Sequence, residues 1–223
     1  MVINNAAWVS GLRYRSSPPD SSSVTLGFLS NISEDKGILR AIDTLRELLR
    51  RNVDARLLVA GGLSDERAES IVQAAKAELG RHFQYLGPIG TKEKERLLET
   101  INYFLFPSTY AHETQSLVVP EALAAGVPVI AVDHRYVGEV VGLGGHLVAA
   151  NDTYSLEAAK WILAGVGNVA LEHSRRASAR NQFCKLSEES RNDISKLVNA
   201  LSGRNSDDVQ IGFEAVGFDR TGG

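Results

Sequence analysis

The sequence predicts an α/β protein built on a parallel β-sheet with helices packed on both faces. Three observations carry this. Apolar runs of strand length recur between residues 24 and 148. Most are followed by a polar or glycine-bearing turn and then by a stretch with apolar residues at helical spacing. The runs are apolar at successive rather than alternate positions, the pattern of strands buried on both faces by βαβ crossovers.

In chain order, residues 1–23 open with a short apolar piece. They then pass through Ser16-Ser17-Pro18-Pro19-Asp20-Ser21-Ser22-Ser23, a composition that predicts loop. Residues 24–29 form the first strand and 30–37 a polar loop. Ile38, Leu39, Ile42, Leu45, Leu48 and Leu49 then mark a helix over 38–51. The second strand and its turn lie at 55–62, followed by a helix over 65–79 that Asp65 or Ser64 caps. The third strand covers 83–89, and Thr91 is expected to cap a helix over 92–99. The fourth, fifth and sixth strands fall at 102–106, 129–132 and 144–148. Beyond Asn151 the pattern is helical, with three helices expected at 154–164, 169–183 and 187–201. The alternation is that of a Rossmann-like parallel sheet.

Bulk properties exclude several function classes. The chain has 223 residues, 43% of them apolar, and a formal charge of -3, so no basic excess points to nucleic acid. No window approaches the roughly 20 apolar residues that span a bilayer, and the opening residues lack a signal peptide's basic and apolar regions; a soluble, cytoplasmic protein is expected. Cys184 is the lone cysteine, read as a buried or incidental thiol, which leaves no internal disulfide and suits a reducing compartment. His82, His112, His134, His146 and His173 show no metal-ligand spacing, so no metal is expected. Neither a G-x-S-x-G elbow nor a G-x4-G-K-[ST] loop is present.

The chemistry concentrates in residues 107–132. There an apolar run stops at Pro107 and a polar loop carries Glu113. The chain turns helical around Pro120-Glu121-Ala122-Leu123, breaks at Gly126 and re-enters a strand at Val129. Glu113 and Glu121 stand eight residues apart, one in the loop beyond a strand's carboxyl end and one in the first turns of a helix. Ligands of open α/β sheets collect at that end, where helix N-termini present backbone N–H groups to anions. Taken singly, Glu121 reads as a first-turn acid that complements the helix dipole, and Glu113 as a solvated loop acid.

The segment as a whole resembles the E-x7-E signature of retaining GT-B glycosyltransferases of family 4, E-G-F-G-L-P-x-x-E-A-M-A-x-G-x-P-V-I. Glu113, Glu121, Leu117, Ala122, Gly126, Pro128, Val129 and Ile130 match, whereas the two glycines are Thr114 and Ser116 here. Asn31-Ile32-Ser33-Glu34-Asp35-Lys36-Gly37 resembles the family's G-R-L-x-x-E-K-G; Lys36 is kept, and Asn31 stands at the arginine position. Phe83 to Ile89 is similar to F-L-G-x-V. In Asp133 to Val141, which resembles S-D-x-G-G-x-P-E-I-V, Arg135 and Tyr136 replace the glycine pair. The opening Val2-Ile3-Asn4-Asn5 is similar to the inter-domain V-I-P-N-G.

What the resemblance implies is the donor-binding C-terminal half of a GT-B fold. Residues 1–23 would be an inter-domain linker remnant and flexible loop, 24–202 the nucleotide-sugar-binding domain and 203–223 a flexible tail. The implied reaction is retaining, metal-independent transfer of a sugar from a nucleoside diphosphate sugar to an acceptor held by a missing N-terminal domain, with the isolated half inactive. Its catalytic residues would be Glu113 and Lys36. Donor binding would fall to Asn31, Lys36, Ile89, Glu113, Ser116, Leu117 and Glu121. Glu113 would contact the transferred sugar, Glu121 the ribose hydroxyls and Ile89 the base. Two alternatives stay open, a non-catalytic nucleotide-binding module and half of a sugar-nucleotide 2-epimerase. The base (uracil or guanine), the sugar, the acceptor and membrane attachment are left open by these residues.

Overall fold

The computed structural model describes residues 4–17, 23–110, 116–134, 136–151 and 153–202. Its centre is a six-stranded, wholly parallel sheet in the order β3-β2-β1-β4-β5-β6. The strands are β1 (Val24–Leu29), β2 (Ala55–Ala60), β3 (Phe83–Tyr85), β4 (Tyr103–Phe106), β5 (Val129–Val132) and β6 (Gly145–Val148). The helices between and after them are α1 (Ile38–Arg50), α2 (Glu66–Leu79), α3 (Thr91–Thr100), α4 (Val118–Ala124), α5 (Val137–Val141), α6 (Tyr154–Gly165) and α7 (Val169–Ser202).

The period of two along each strand divides the core into two layers. Leu26, Leu57, Tyr103, Leu105 and Ile130 join α1, α2 and α6 on one face. Leu58, Phe104, Phe106, Val129 and Ala131 join α3, α4, α5 and α7 on the other. The fold class read from the sequence is therefore the observed one. Because β1 and β4 are neighbours, the winding direction reverses between them. That switch point opens a crevice at the carboxyl ends of the strands.

Element boundaries moved for physical reasons. Asn102 precedes β4, and its side-chain oxygen accepts from the Thr25 amide at 2.7 Å in place of a ladder bond. β3 ends at Tyr85, four residues short of its expected limit. Thr91 is the first residue of α3 and not its cap: the Lys94 amide already donates to Gly90 O at 3.0 Å, so Gly90 takes the N-cap position. Asp65 does cap α2, accepting from the Ala68 amide at 2.7 Å.

The two helices expected beyond Gly167 are one. α7 runs unbroken for 34 residues, since neither glycine nor proline interrupts it. Leu186, Ser187 and Ser190, near the expected break, are buried against the rest of the molecule. Cys184 lies exposed on this helix.

The opening segment, read as loop, carries a 3-10 turn at Asn5–Trp8 that Asn4 caps, and Ala6 and Val9 are buried in the second layer. α7 holds this segment down. Arg176, fully buried, donates from Nε to Arg15 O at 2.9 Å, and burial pulls its pKa down to about 10. The expected tail from Gly203 and the expected linker residues Val2 and Ile3 lie outside the described residues.

At the β6 edge, His146 stacks on Trp161 with ring centroids 5.5 Å apart, and the Arg175 guanidinium lies 3.7 Å from the same indole. Burial, with Arg175 nearby, holds the His146 pKa below its ordinary value, although Glu157 pulls the other way. The unfolded chain therefore binds more protons just below neutrality than the folded one. Stability is expected to fall as pH drops from neutral through the ordinary imidazole range and to level off below the depressed folded pKa. His146→Phe should flatten that part of the profile, as measured by urea denaturation at each pH.

Candidate functional site

Four loops meet at the carboxyl ends of β1, β2, β3 and β4, and two glycines set how closely they approach. Gly37, at φ +85°, precedes α1, and a Cβ there would lie 2.4 Å from the Pro107 carbonyl oxygen. Gly61, at φ +127°, follows β2, and a Cβ there would lie 1.7 Å from Ser30 O. Only glycine suits both the left-handed backbone and the missing space.

Hydrogen bonds join the same loops. The Thr109 amide donates to Asp35 O at 2.9 Å, Arg40 Nη1 reaches Thr109 Oγ1 at 3.4 Å, and Tyr85 donates its hydroxyl to Gly61 O at 2.9 Å. The lysine loop and the loop that leads toward Glu113 are thereby fixed to each other.

Above them lies a cleft of about 490 Å³. Among the sequence-predicted residues, Asn31, Lys36, Ile89 and Ser116 line it, drawn from three separate loops. The Lys36 ammonium sits 4.3 Å from the Tyr110 ring centroid, a cation–π contact that directs the side chain across the loop. Leu117, half exposed, stands beside Ser116 at the start of α4. Glu113 lies outside the described residues, as do Thr114, Gln115 and Arg135. Among the described residues no group of three His, Cys, Asp or Glu side chains is placed to hold a metal ion.

Glu121 occupies the first turn of α4 and is largely buried, its side chain 13% exposed. It forms an ion pair through Oε1 with the ammonium of Lys94, on the first turn of α3. Lys94 itself lines the cleft. Glu121 Oε2 is buried and has no hydrogen-bond partner. Leaving a buried acceptor unsatisfied costs about 1–3 kcal/mol, and more for a charged group, so this oxygen marks a place where a donor belongs.

Sequence reasoning missed Lys94 because Lys92-Glu93-Lys94-Glu95 has the composition of any solvated helix start. Only the packing of α3 beside α4 on one face of the sheet brings Lys94 to Glu121. The cleft thus combines two lysines, an uncharged amide donor in Asn31, a hydroxyl in Ser116, an apolar wall of Ile89 and Phe106, and one buried carboxylate at its margin.

The loop contact can be tested directly. Gly37→Ala is expected to destabilise the fold by about 2–4 kcal/mol, combining left-handed strain with the clash at Pro107. Gly167→Ala, at φ +76° with nothing within 4 Å of the added Cβ, should cost only the strain, about 1 kcal/mol. Guanidinium denaturation of both variants measures the difference; equal losses would show that the two loops do not constrain each other.

Known proteins share both the sequence pattern and the architecture. The glycosyl transferases group 1 family matches over residues 14–180. A 2-deoxystreptamine glucosyltransferase from Streptomyces kanamyceticus is 30% identical over 125 residues, covering 56% of this chain and 32% of that protein. The crystal structure of TarM superposes with a TM-score of 0.71 at 20% identity, covering 86% of this chain and 38% of that one. The structure of Anabaena Alr3699/HepE in complex with UDP and glucose gives a TM-score of 0.66 at 17% identity, covering 79% and 48%. The chain spans about a third to a half of the length of these proteins. With the match extending across most of its strands and helices, the chain belongs to the glycosyl transferases group 1 family.

Proposed function

We propose that this chain binds a nucleoside diphosphate sugar and presents it for retaining, metal-independent transfer to an acceptor held by a second, N-terminal domain. The observation that carries this reading is the convergence of Asn31, Lys36, Ile89 and Ser116 on one cleft at the switch point of the sheet. In this reading Lys36 and Asn31 face the diphosphate, together with amides near Ser116 and Leu117. Developing negative charge on the leaving group is met by these preorganised donors. Ile89 forms the apolar wall for the base. Glu121 accepts from ribose hydroxyls, for which its unsatisfied Oε2 is suited. Glu113 contacts the transferred sugar and, with Lys36, forms the catalytic pair. The neighbour crystallised with UDP and glucose makes uracil the first base to test.

No helix among the described residues is long and apolar enough to cross a membrane, and we place the activity in the cytoplasm. The relatives' greater length supports a second domain as the acceptor holder, so this chain alone is expected to bind donor and transfer little. Asn31, where the family pattern has arginine, favours one other reading, a module that binds nucleotide without transfer. Sugar transfer with the N-terminal domain supplied separates the two.

Calorimetric titration with UDP, GDP and ADP tests the donor site. One nucleotide should bind saturably, and Lys36→Ala and Glu121→Ala should each weaken it at least about tenfold, or ~1.4 kcal/mol. Undiminished affinity in both variants, or no binding to the folded chain, would overturn the assignment.

A further inference from the structure

Lys94 belongs to no motif of the sequence, yet it occupies a decisive position. It lines the same cleft as Lys36, and its ammonium is held by Glu121 Oε1. In that arrangement Glu121 is only half used: one oxygen is taken by the lysine and the other is buried without a partner. The carboxylate lacks one hydrogen bond, and the lysine paired with it is a cation facing a cleft suited to anions. The loop after β1, meanwhile, offers Asn31, which donates hydrogen bonds without charge.

We infer that Lys94 is a second phosphate-binding residue, held by Glu121 in the arrangement described and transferred to the ligand's diphosphate when nucleotide binds. This rests on the nucleotide-donor reading above and names how the site handles its ligand. The exchange is balanced in kind. Glu121 gives up one cation and gains hydroxyl donors from the sugar ring of the nucleoside, reaching the oxygen that now lacks a partner. Lys94 gives up one carboxylate and gains a diphosphate of higher charge. Ligands carrying only one of the two parts cannot complete the exchange: a nucleoside offers Glu121 its hydroxyls but gives Lys94 no phosphate to move to, and pyrophosphate withdraws Lys94 and leaves Glu121 unpaired. The latch therefore favours ligands in which sugar and diphosphate are joined. It also supplies a second cation in a cleft where Asn31 brings none.

The test titrates the full 223-residue chain with UDP, UMP, uridine and inorganic pyrophosphate, with the guanine series in parallel, following saturation by calorimetry and amide NMR shifts. Lys94→Met is expected to weaken the diphosphate at least tenfold, the monophosphate less, and to leave the nucleoside unchanged or tighter, because its competitor for Glu121 is gone. Lys94→Arg should hold diphosphate affinity within about threefold of wild type. Guanidinium denaturation verifies that each variant is folded. If Lys94→Met weakens nucleoside and diphosphate by the same factor, Lys94 only positions Glu121 and the transfer is refuted; no change for any ligand refutes it equally. In both of those cases the donor site stands so long as Lys36→Ala weakens the diphosphate. Absence of binding by every ligand to folded wild-type chain overturns the donor reading and this inference together.

Discussion

The close approach of Gly37 to Pro107 is the constraint on which the site depends. β1 and β4 are sheet neighbours but lie far apart in sequence, and their loops leave the sheet at the point where its winding reverses. Any side chain at residue 37 would force these loops apart, since the nearest atom is a carbonyl oxygen that cannot rotate away. With glycine there, Asp35 and Thr109 come within hydrogen-bonding distance and Lys36 is carried to Tyr110. Gly61 plays the matching part on the other side, where the loop after β2 is pressed against Ser30. The cleft is the space these contacts leave, bounded by elements that cannot drift independently.

Charge in the cleft follows from the same topology. Lys36 comes from the β1–α1 loop and Lys94 from the first turn of α3; α1 and α3 cover opposite faces of the sheet, and the two lysines share a wall because both helices begin at its carboxyl edge. A largely buried carboxylate paired with Lys94 limits the field. Glu121 neutralises one lysine at short range, so the cleft presents less net positive charge than its residue types suggest. Residue types alone therefore misstate what an approaching anion meets.

How much of this was legible in the sequence depended on the kind of information each residue carries. Strands buried on both faces announce themselves through unbroken apolar runs, so the sheet and its two covering layers were readable; Asn31, Lys36, Ile89 and Ser116, singled out only through the family resemblance, stand together along one cleft. Boundaries were less readable. Thr91 has the chemistry of a cap, but Gly90 was already in the cap position and chain geometry outweighed side-chain preference. The break expected between Phe183 and Ser187 has no residue behind it that interrupts a helix, and α7 is continuous there. Lys94 was invisible for a different reason. Its partner is 27 positions away, and the pairing exists only because α3 and α4 lie on the same face of the sheet.

The last dependence runs from the back of the molecule to the cleft. α4 has only seven residues, too few for a helix to hold itself in water, yet it carries Glu121. Burial of Val119, Ala122 and Leu123 fixes its inner face. Its end is fixed from α7, where Arg180 Nη1 donates to Ala124 O at 2.7 Å and so meets one of the terminal carbonyls that the helix leaves unpaired. The same helix holds α5 through Gln182, whose Nε2 donates to Glu139 O and Val140 O at 3.1 and 3.2 Å, and the opening segment through Arg176. α7 contributes nothing to the lining of the cleft, but it ties the short helices into one body. The angle at which Glu121 meets Lys94 is in this sense set by a helix on the far side of α4. Because α7 is uninterrupted, Arg176 and Ser190, which receives the Asn4 amide at 3.2 Å, stand on one helix, and the opening segment is held at both of its ends by the element that anchors α4.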